Sequence, residues 1–357
     1  MRQAGRRGTA LALGVALVAT AVLASLALGA RPVSLPDVVG ALTDFDGSPD
    51  QIAVRSLRLP RTVVGLVVGL ALGVAGAVMQ GLTRNPVADP GLLGVSAGAA
   101  LGLVVAVTLG GVTAVAGHIW FAFAGALVAA VTVYAVANRS RRSPITSLVL
   151  GGAAVSATLG SITSAVLVVD QEVLDQYRFW AVGSLVNRDI GVAAAILPFV
   201  GAGLLAAALC VRGLDALALG DDVARALGRN LAATRVLAGI AIVLLTGAAV
   251  AAAGPIAFIG LVIPHLVRPM VGSSHGWLLV ASAVYAPALL VCADVLGRLL
   301  VRPGEVPAGV VTALLGAPFL IWLVRREHRP AAVAQPPPAD GVRTVQSSAD
   351  RRERAVG

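Results

Sequence analysis

The 357-residue sequence contains no lysine, so all 27 of its basic residues are arginines. A P-loop requires a lysine that reaches the nucleotide phosphates, which excludes the chain as a P-loop ATPase. Charged residues are also scarce, at 13%, against 57% hydrophobic residues. Because an average soluble domain has about 25% charged residues, the composition excludes a soluble protein and predicts a polytopic membrane protein.

Aromatic residues make up only 4% of the chain, whereas glycine occurs 41 times. This composition favours an all-α membrane protein with closely packed helices over a β-barrel, which carries aromatic girdles. The two cysteines, Cys210 and Cys292, are far apart in sequence and form neither a CxxC pair nor a disulfide framework. No metal-ligating motif and no Ser/His/Asp set is visible. The sequence therefore predicts no catalytic residue, no metal site and no enzyme.

The net charge of +9 would suggest a nucleic-acid partner for a soluble chain. Here the arginines occur in short clusters between apolar runs and in the C-terminal tail. Such clusters are typical of the positive-inside rule and of contact with anionic membrane lipid. We therefore expect lipid contact and no nucleic-acid partner.

Charge-free runs predict ten transmembrane helices, because one span needs about 20 residues. The predicted spans are 9–30, 61–81, 92–109, 118–137, 144–168, 191–211, 233–253, 256–272, 277–297 and 306–324. The run 236–267 is too long for one span, and Gly254-Pro255 and Pro264 are expected to break it.

The placement of arginine predicts that both termini are cytoplasmic. With the N-terminus inside, the outside segments 31–60 and 170–189 hold more acidic residues than arginines, and four other arginine-bearing connections are cytoplasmic. These connections are Arg84, 139–142, 212–235 and 325–326. We expect residues 1–327 to form the membrane domain. Residues 328–357, with their Pro-rich and charged composition, are expected to form a disordered cytoplasmic tail.

Ionisable residues are nearly absent from the predicted spans, and Asp294 is the carboxylate that lies near one. Ion-coupled secondary transporters place carboxylates or histidines inside the helix bundle. A secondary transporter therefore remains the alternative of a different class, without an evident coupling group. A receptor or scaffold is a second alternative. If the chain transports a solute, another subunit is expected to supply the energy.

Two cytoplasmic segments are more organised than ordinary loops. In the segment 80–94, proline, glycine and asparagine favour a fixed, non-helical path. In the segment 218–228, Asp221 or Asp222 is expected to cap a short helix, with Ala224 and Leu227 on an apolar face. The pattern fits a docking helix and a solvated connector equally well.

Glycine recurs every fourth residue in the second predicted span. Gly65, Gly69 and Gly73 share one helix face, which allows another helix to approach closely. Packing within the bundle is the favoured interpretation, and a dimer interface is the alternative.

The chain resembles the iron–siderophore, haem and cobalamin permeases of ABC importers over about residues 10–326. Four motifs carry the resemblance. They are RLPRTVVGLVVGLALGVAGAVMQGLTRNPVADPGLLGVSAGA at 58–99, LALGDDVARALG at 217–228, GPIAFIGLVIPHLVRPMVGSSH at 254–275 and VPAGVVTALLGAPFLIW at 306–322. The resemblance does not extend to the tail beyond residue 328.

This resemblance implies the type II ABC importer fold, with about ten helices per subunit in the cell membrane. It implies a second permease subunit, identical or different, and an ATPase dimer that binds ATP and Mg²⁺. It also implies an extracytoplasmic substrate-binding protein. Ferric siderophore is the expected cargo, with haem and cobalamin as alternatives. The chain itself is expected to hold no cofactor.

The resemblance also assigns three groups of site residues. Binding-protein docking is expected at Arg58, Arg61 and Arg298. Contacts with the ATPase are expected at Gly220, Asp221, Ala224, Arg225, Leu227 and Gly228. The cytoplasmic gate is expected at Asn85, Val87, Thr146 and Ser147.

Overall fold

A computed structural model describes residues 2–29, 31–109, 115–139, 144–302 and 304–327. The described residues form fourteen α-helices and no strand. In chain order the helices are α1 (Arg2–Ala27), α2 (Leu35–Thr43), α3 (Pro49–Ala53), α4 (Leu59–Thr83), α5 (Val95–Thr108), α6 (Val115–Arg139), α7 (Pro144–Val169), α8 (Gln171–Ala181), α9 (Ile190–Leu217), α10 (Asp221–Ala226), α11 (Leu231–Ala253), α12 (Ile259–Val271), α13 (His275–Leu300) and α14 (Ala308–Glu327). The predicted tail and the arginines at 141–142 lie outside the described residues.

Residue contacts divide the chain into two units, 1–319 and 320–357. The helix bundle belongs to the first unit, and the described part of the second is the end of α14. Each of the ten predicted spans coincides with a helix. Within the described residues, seven helical stretches are long and apolar enough to cross a membrane.

Two of the ten helices, α5 and α12, are shorter than a full span. Gly94 adopts a left-handed conformation, with φ 73°, directly before α5. Gly254, with φ 74°, ends α11, and Pro255 follows it. The predicted break at Gly254-Pro255 is therefore confirmed. The short helices α2, α3 and α8, which lie in connections between the predicted spans, were not predicted.

Helix α4 lies at the centre of the bundle and packs against α9, α11, α12 and α13. Its glycine face makes this packing possible. A Cβ atom added to Gly73 would lie 2.3 Å from the Cβ atom of Ala286 in α13. One added to Gly76 would lie 1.9 Å from the carbonyl oxygen of Gly260 in α12. The glycines thus serve packing within the bundle, which confirms the favoured interpretation.

The expected break at Pro264 is wrong, because α12 continues through this residue. Proline has no N–H, so the carbonyl of Gly260, four residues earlier, loses its helical donor. The Nε2 atom of Gln80 in α4 lies 3.4 Å from this carbonyl oxygen and 3.1 Å from that of Leu261. Gln80 thereby supplies a donor that the helix lacks.

Two arginines near the N-terminus contact the end of α12. Arg6 and Arg7 donate hydrogen bonds to the carbonyl oxygens of Pro269 and Val271 at the end of α12. The N-terminus therefore lies at the end where α4 finishes and α13 begins. We call this the Arg84 end of α4, and the opposite one the Arg61 end.

Candidate functional site

At the Arg61 end, a carboxylate is buried between two arginines. Arg61 donates to both oxygens of Asp294 from Nε, at 3.1 and 3.0 Å, and from Nη2 to Oδ1 at 2.7 Å. Arg298, one turn after Asp294 on α13, also pairs with it through Nε and Nη2. The side chain of Asp294 is only 2% exposed. A buried carboxylate requires such partners, because an unpaired charge in a helix bundle is costly.

The same group reaches two further elements. Arg61 Nη1 lies 2.7 Å from Glu305 Oε2, in the connection that leads to α14. Arg298 donates to the carbonyl oxygen of Ser25 in α1 at 2.9 Å. We call these five residues, Ser25, Arg61, Asp294, Arg298 and Glu305, the Arg61 cluster. It joins the ends of α1, α4 and α13, and it neutralises the carboxylate that an ion-coupled transporter would use.

The predicted docking arginines are thus already bound within the chain. Arg61 and Arg298 are 8% and 3% exposed. Arg58 is less buried, and its guanidinium donates to the carbonyl oxygens of Leu26 and Arg31 at 2.7 and 2.5 Å. The docking role stays a prediction, and the geometry supports it best for Arg58.

At the Arg84 end, a half-exposed carboxylate also joins two arginines. Asp221, the first residue of α10, lies with Oδ1 3.1 Å from Nη2 of Arg84 and with Oδ2 2.6 Å from Nη2 of Arg235. Arg84 follows α4 directly, and Arg235 lies in the second turn of α11. We call these three residues the Asp221 clamp. It ties α10 to the ends of two long helices.

The short helix predicted at 218–228 is confirmed, but its predicted cap is wrong. Gly220 is the N-cap residue, without a side-chain hydrogen bond, while Asp221 and Asp222 lie in the first turn. There their negative charges interact favourably with the positive end of the helix dipole, but they do not cap the helix. Asp222 pairs with Arg225 at 2.9 Å on the exposed surface.

Both glycines of this segment have conformations that suit glycine. Gly220 has φ 104° and Gly228 has φ 71°. The N–H of Gly228 donates to the carbonyl of Arg225, and that of Arg229 to the carbonyl of Ala224. This pair of bonds is the Schellman motif, which ends α10 sharply.

The predicted apolar face of the α10 segment is right at Leu227 and wrong at Ala224. Ala224 is fully buried and packs α10 onto the bundle, so a direct ATPase contact at this residue conflicts with its burial. Leu219, Val223 and Leu227 are instead 63%, 46% and 61% exposed. Three apolar side chains at the arginine-rich end of a membrane protein form a surface suited to a partner.

The predicted gate residues lie in two places. Asn85 is exposed, and its Oδ1 atom accepts a hydrogen bond from the half-buried Val87 at 3.0 Å. Thr146 is exposed at the start of α7, whereas Ser147 is buried and its hydroxyl has no partner among the described residues. The gate assignment stays a prediction.

Asp89 orders the connection between α4 and α5. Its Oδ1 atom accepts a hydrogen bond from the N–H of Gly91 at 2.7 Å and so caps the 3-10 turn Pro90–Leu93. Burial raises the pKa of the Asp89 carboxyl, while the hydrogen bond from Gly91 lowers it by a smaller amount. This cap fixes the connection between α4 and α5, but the predicted non-helical path over 80–94 is wrong at both ends, because residues 80–83 belong to α4 and Pro90–Leu93 form a 3-10 helix.

Sequence reasoning missed a second carboxylate near α10. Asp215, in the last turn of α9, accepts hydrogen bonds at 2.8 Å from the backbone N–H of His275. The Nδ1 atom of the same histidine lies 2.8 Å from the same carboxylate oxygen. Asp215 thereby caps α13, whose N-cap residue Ser274 makes no side-chain hydrogen bond. The missed signal was that Asp215 and His275 fall in connections that the arginine pattern predicts to lie on the same side.

The described residues form no metal site, and a groove among them is apolar. Among the described residues, no three His, Cys, Asp or Glu side chains come together to hold a metal ion. An open apolar groove runs between the end of α8, the connection after α11 and α14. Its walls include Val182, Pro255, Val310, Leu314 and Pro318. Its apolar wall offers no charged group to an ion.

Comparison with known proteins gives consistent matches over most of the chain. The model of the FecCD transport family matches residues 17–326. The ferric enterobactin transport system permease protein FepD of Escherichia coli is 44% identical over 88% of this chain and 94% of its own length. The cobalamin import system permease protein BtuC of Halobacterium salinarum is 38% identical over 92% of this chain and all of its own length. A solved inward-facing structure, described as a metal-chelate type ABC transporter, has a TM-score of 0.72 at 27% identity and covers 88% of this chain and 97% of that one.

Proposed function

Since the chain belongs to the FecCD transport family, we propose that it is the transmembrane permease subunit of an ABC importer driven by a separate ATPase subunit. The observation that carries the proposal is the exposed apolar face of the α10 segment at the arginine-rich end of the bundle, with Val223 in the helix and Leu219 and Leu227 flanking it. This face is a surface on which an ATPase subunit can dock. The ATPase would bind ATP and Mg²⁺, since this chain has no lysine for a P-loop.

The Arg61 cluster argues against an ion-coupled secondary transporter. Asp294 pairs with two arginines and is buried, so it is not free to take up a proton or a metal cation during transport. We further propose that a second permease subunit completes the translocation path. We propose that the complex lies in the cell membrane. We also propose an extracytoplasmic binding protein that docks near Arg58 at the Arg61 end.

We propose ferric siderophore as the cargo. The support is the 44% identity to a ferric enterobactin permease, which exceeds the 38% identity to the cobalamin permease. Cobalamin and haem remain the alternatives, because the apolar groove carries no group that selects among large cargoes. Its smooth wall suits a ligand that is handed over without a tight binding site within the membrane.

Uptake in cells tests the cargo. Host cells with the gene deleted and complemented would be given radiolabelled ferric enterobactin and, in parallel, labelled cobalamin and haem. We expect loss of the ferric siderophore alone, with recovery on complementation. Loss of cobalamin or haem uptake instead would overturn the cargo assignment while keeping the permease function.

Docking of the ATPase is tested at Leu227. The variant Leu227→Asp should fold, because the side chain is 61% exposed, but should no longer co-purify with the ATPase subunit. Leu227→Met is the matched control and should keep the complex. Full retention of the ATPase by Leu227→Asp would show that α10 is not the docking surface.

A further inference from the structure

The Asp221 clamp gives α10 two attachments beyond its own chain connections. Asp221 Oδ2 accepts a hydrogen bond from Arg235 Nη2 at 2.6 Å, whereas Oδ1 lies 3.1 Å from Arg84 Nη2 in an ion pair without hydrogen-bond geometry. The two arginines come from different long helices, α4 and α11. A displacement of α10 that keeps both pairs must therefore move the ends of both helices.

The conformation of Arg84 supports this interpretation. Arg84 has φ 53°, the left-handed conformation that side chains other than glycine and asparagine rarely adopt. Such strain persists where the surroundings hold it in place. Here this conformation ends α4 and coincides with the ion pair between the Arg84 side chain and Asp221.

A second attachment lies six residues earlier. Asp215 accepts hydrogen bonds from His275 and so ties the end of α9 to the start of α13. The ring of His275 also lies against α4, since a Cβ atom added to Gly81 would be 2.8 Å from its Nε2 atom. The segment from Asp215 to Asp221 is thus fixed to α4, α11 and α13.

The position of the clamp separates it from the docking surface. The Asp221 side chain is 28% exposed and points to the bundle, which disfavours the ATPase contact expected at this residue, whereas Leu219, Val223 and Leu227 face solvent. A partner that pushes on the apolar face leaves the clamp intact. The same element therefore has one side for a partner and another for the membrane helices.

We propose that Asp221 is a positioning residue that makes α10 move as one body with α4 and α11, with Asp215 extending the attachment to α13. This inference rests on the proposed function, in which ATP-driven movement reaches the permease through α10. Movement of the ATPase is transmitted to the long helices through ion pairs, as in rigid-body transitions between packed elements.

The test uses the complex of permease and ATPase, reconstituted in liposomes with the binding protein and radiolabelled ferric enterobactin, or labelled cobalamin if the cell experiment selects it. The variants are Asp221→Asn, Arg235→Gln and the double variant. Asp222→Asn is the matched control, because Asp222 is the next residue and its side chain is 99% exposed. The readouts are co-purification of the ATPase, ATP hydrolysis, and solute transported per ATP hydrolysed.

We expect Asp221→Asn and Arg235→Gln to keep the ATPase bound and active but to transport roughly fivefold to tenfold less solute per ATP, the size of a typical coupling between sites. The double variant should match Asp221→Asn, because removing the carboxylate already breaks the pair with Arg235. Asp222→Asn should match the wild type. The melting temperature of the permease alone should be the same for Asp221→Asn and Asp222→Asn.

Different failures identify different errors. If the wild-type chain neither binds an ATPase nor transports, the proposed function is wrong and the inference falls with it. If the wild type transports and Asp221→Asn stays fully coupled, only the clamp is wrong. Equal uncoupling by Asp222→Asn would assign the effect to the charge of α10. Loss of the ATPase from Asp221→Asn would make it a docking residue instead.

Discussion

The two ends of α4 place a carboxylate between two arginines in opposite environments. At the Arg61 end, Asp294 is 2% exposed and every partner is enclosed by helices. At the Arg84 end, Asp221 is 28% exposed and its partners reach solvent. The two sites are 23 residues apart on one helix, or about 34 Å at 1.5 Å per residue.

This contrast separates two uses of the same chemistry. A buried ion pair is costly to break, because the remaining charge stays in a medium that cannot solvate it. A half-exposed pair contributes little to stability and can rearrange, because water replaces the lost partner. The Arg61 cluster is therefore suited to fix helix positions. The Asp221 clamp is suited to transmit movement.

The strongest test of the contrast removes the carboxylate at the Arg61 end. Asp294→Asn keeps the size of the side chain but leaves the buried Arg298 without an anion and Arg61 with only the partly exposed Glu305. We expect the free energy of unfolding to fall by about 3–5 kcal/mol. Unfolding in mixed detergent micelles, followed by tryptophan fluorescence, would measure this.

The matched control for this variant is Asp50→Asn. Asp50 pairs with Arg31 at 3.5 Å, where the Arg31 side chain is 77% exposed. Its loss should cost about 0–1 kcal/mol, as exposed ion pairs do. Similar losses for both variants would contradict the distinction between buried and exposed pairs.

The second test concerns the part of α4 between the two ends. Gly73→Ala would place a Cβ atom 2.3 Å from the Cβ atom of Ala286 and 2.7 Å from the carbonyl oxygen of Ser282. The backbones of α4 and α13 must then separate, which should cost about 1–3 kcal/mol. Thermal unfolding monitored by size-exclusion chromatography would detect the loss.

Gly239→Ala in α11 is the control for this variant, because a Cβ atom there meets no atom within 4 Å. It should be neutral or slightly stabilising, since alanine is a better helix former than glycine. Equal melting temperatures for Gly73→Ala and Gly239→Ala would show that α4 and α13 are not held at close distance.

The sequence predicts the helices and the ends at which charges gather. Apolar runs predicted the ten long or apolar helices among the fourteen, and the arginine pattern grouped Arg6, Arg7 and Arg84 at one end. The glycine spacing in α4 also predicted packing within the bundle. These features depend on local composition and on the alternation of sides, which a single chain contains.

The partners of each charge could not be predicted. Arg61 and Asp294 are 233 residues apart, and the rotation of α4 against α13 decides that they meet. For the same reason Asp221 was expected to cap its own helix rather than bridge Arg84 and Arg235. The continuation of α12 through Pro264 depends on Gln80 from another helix. In each case tertiary packing supplies the partner.

The third test removes that tertiary partner. Gln80→Leu leaves the carbonyl oxygens of Gly260 and Leu261 without the donor from α4. We expect a loss of about 1–2 kcal/mol, the cost of leaving a buried polar group unsatisfied. Gln171→Leu, at an exposed position at the start of α8, is the control and should change the free energy of unfolding little. If the two variants unfold alike, α12 does not depend on Gln80.

The smallest expected effect concerns Glu305, the partly exposed acidic residue of the Arg61 cluster. Glu305 is 32% exposed, so Glu305→Gln leaves Arg61 with Asp294 as its buried partner and with water nearby. We expect a loss of about 0.5–1.5 kcal/mol, between that of an exposed pair and that of the buried one. Asp175→Asn, whose pair with Arg178 is 49–60% exposed, is the control and should lose less. A loss for Glu305→Gln as large as that for Asp294→Asn would mean that exposure does not set the strength of these pairs, and the contrast between the two ends of α4 would then need another cause.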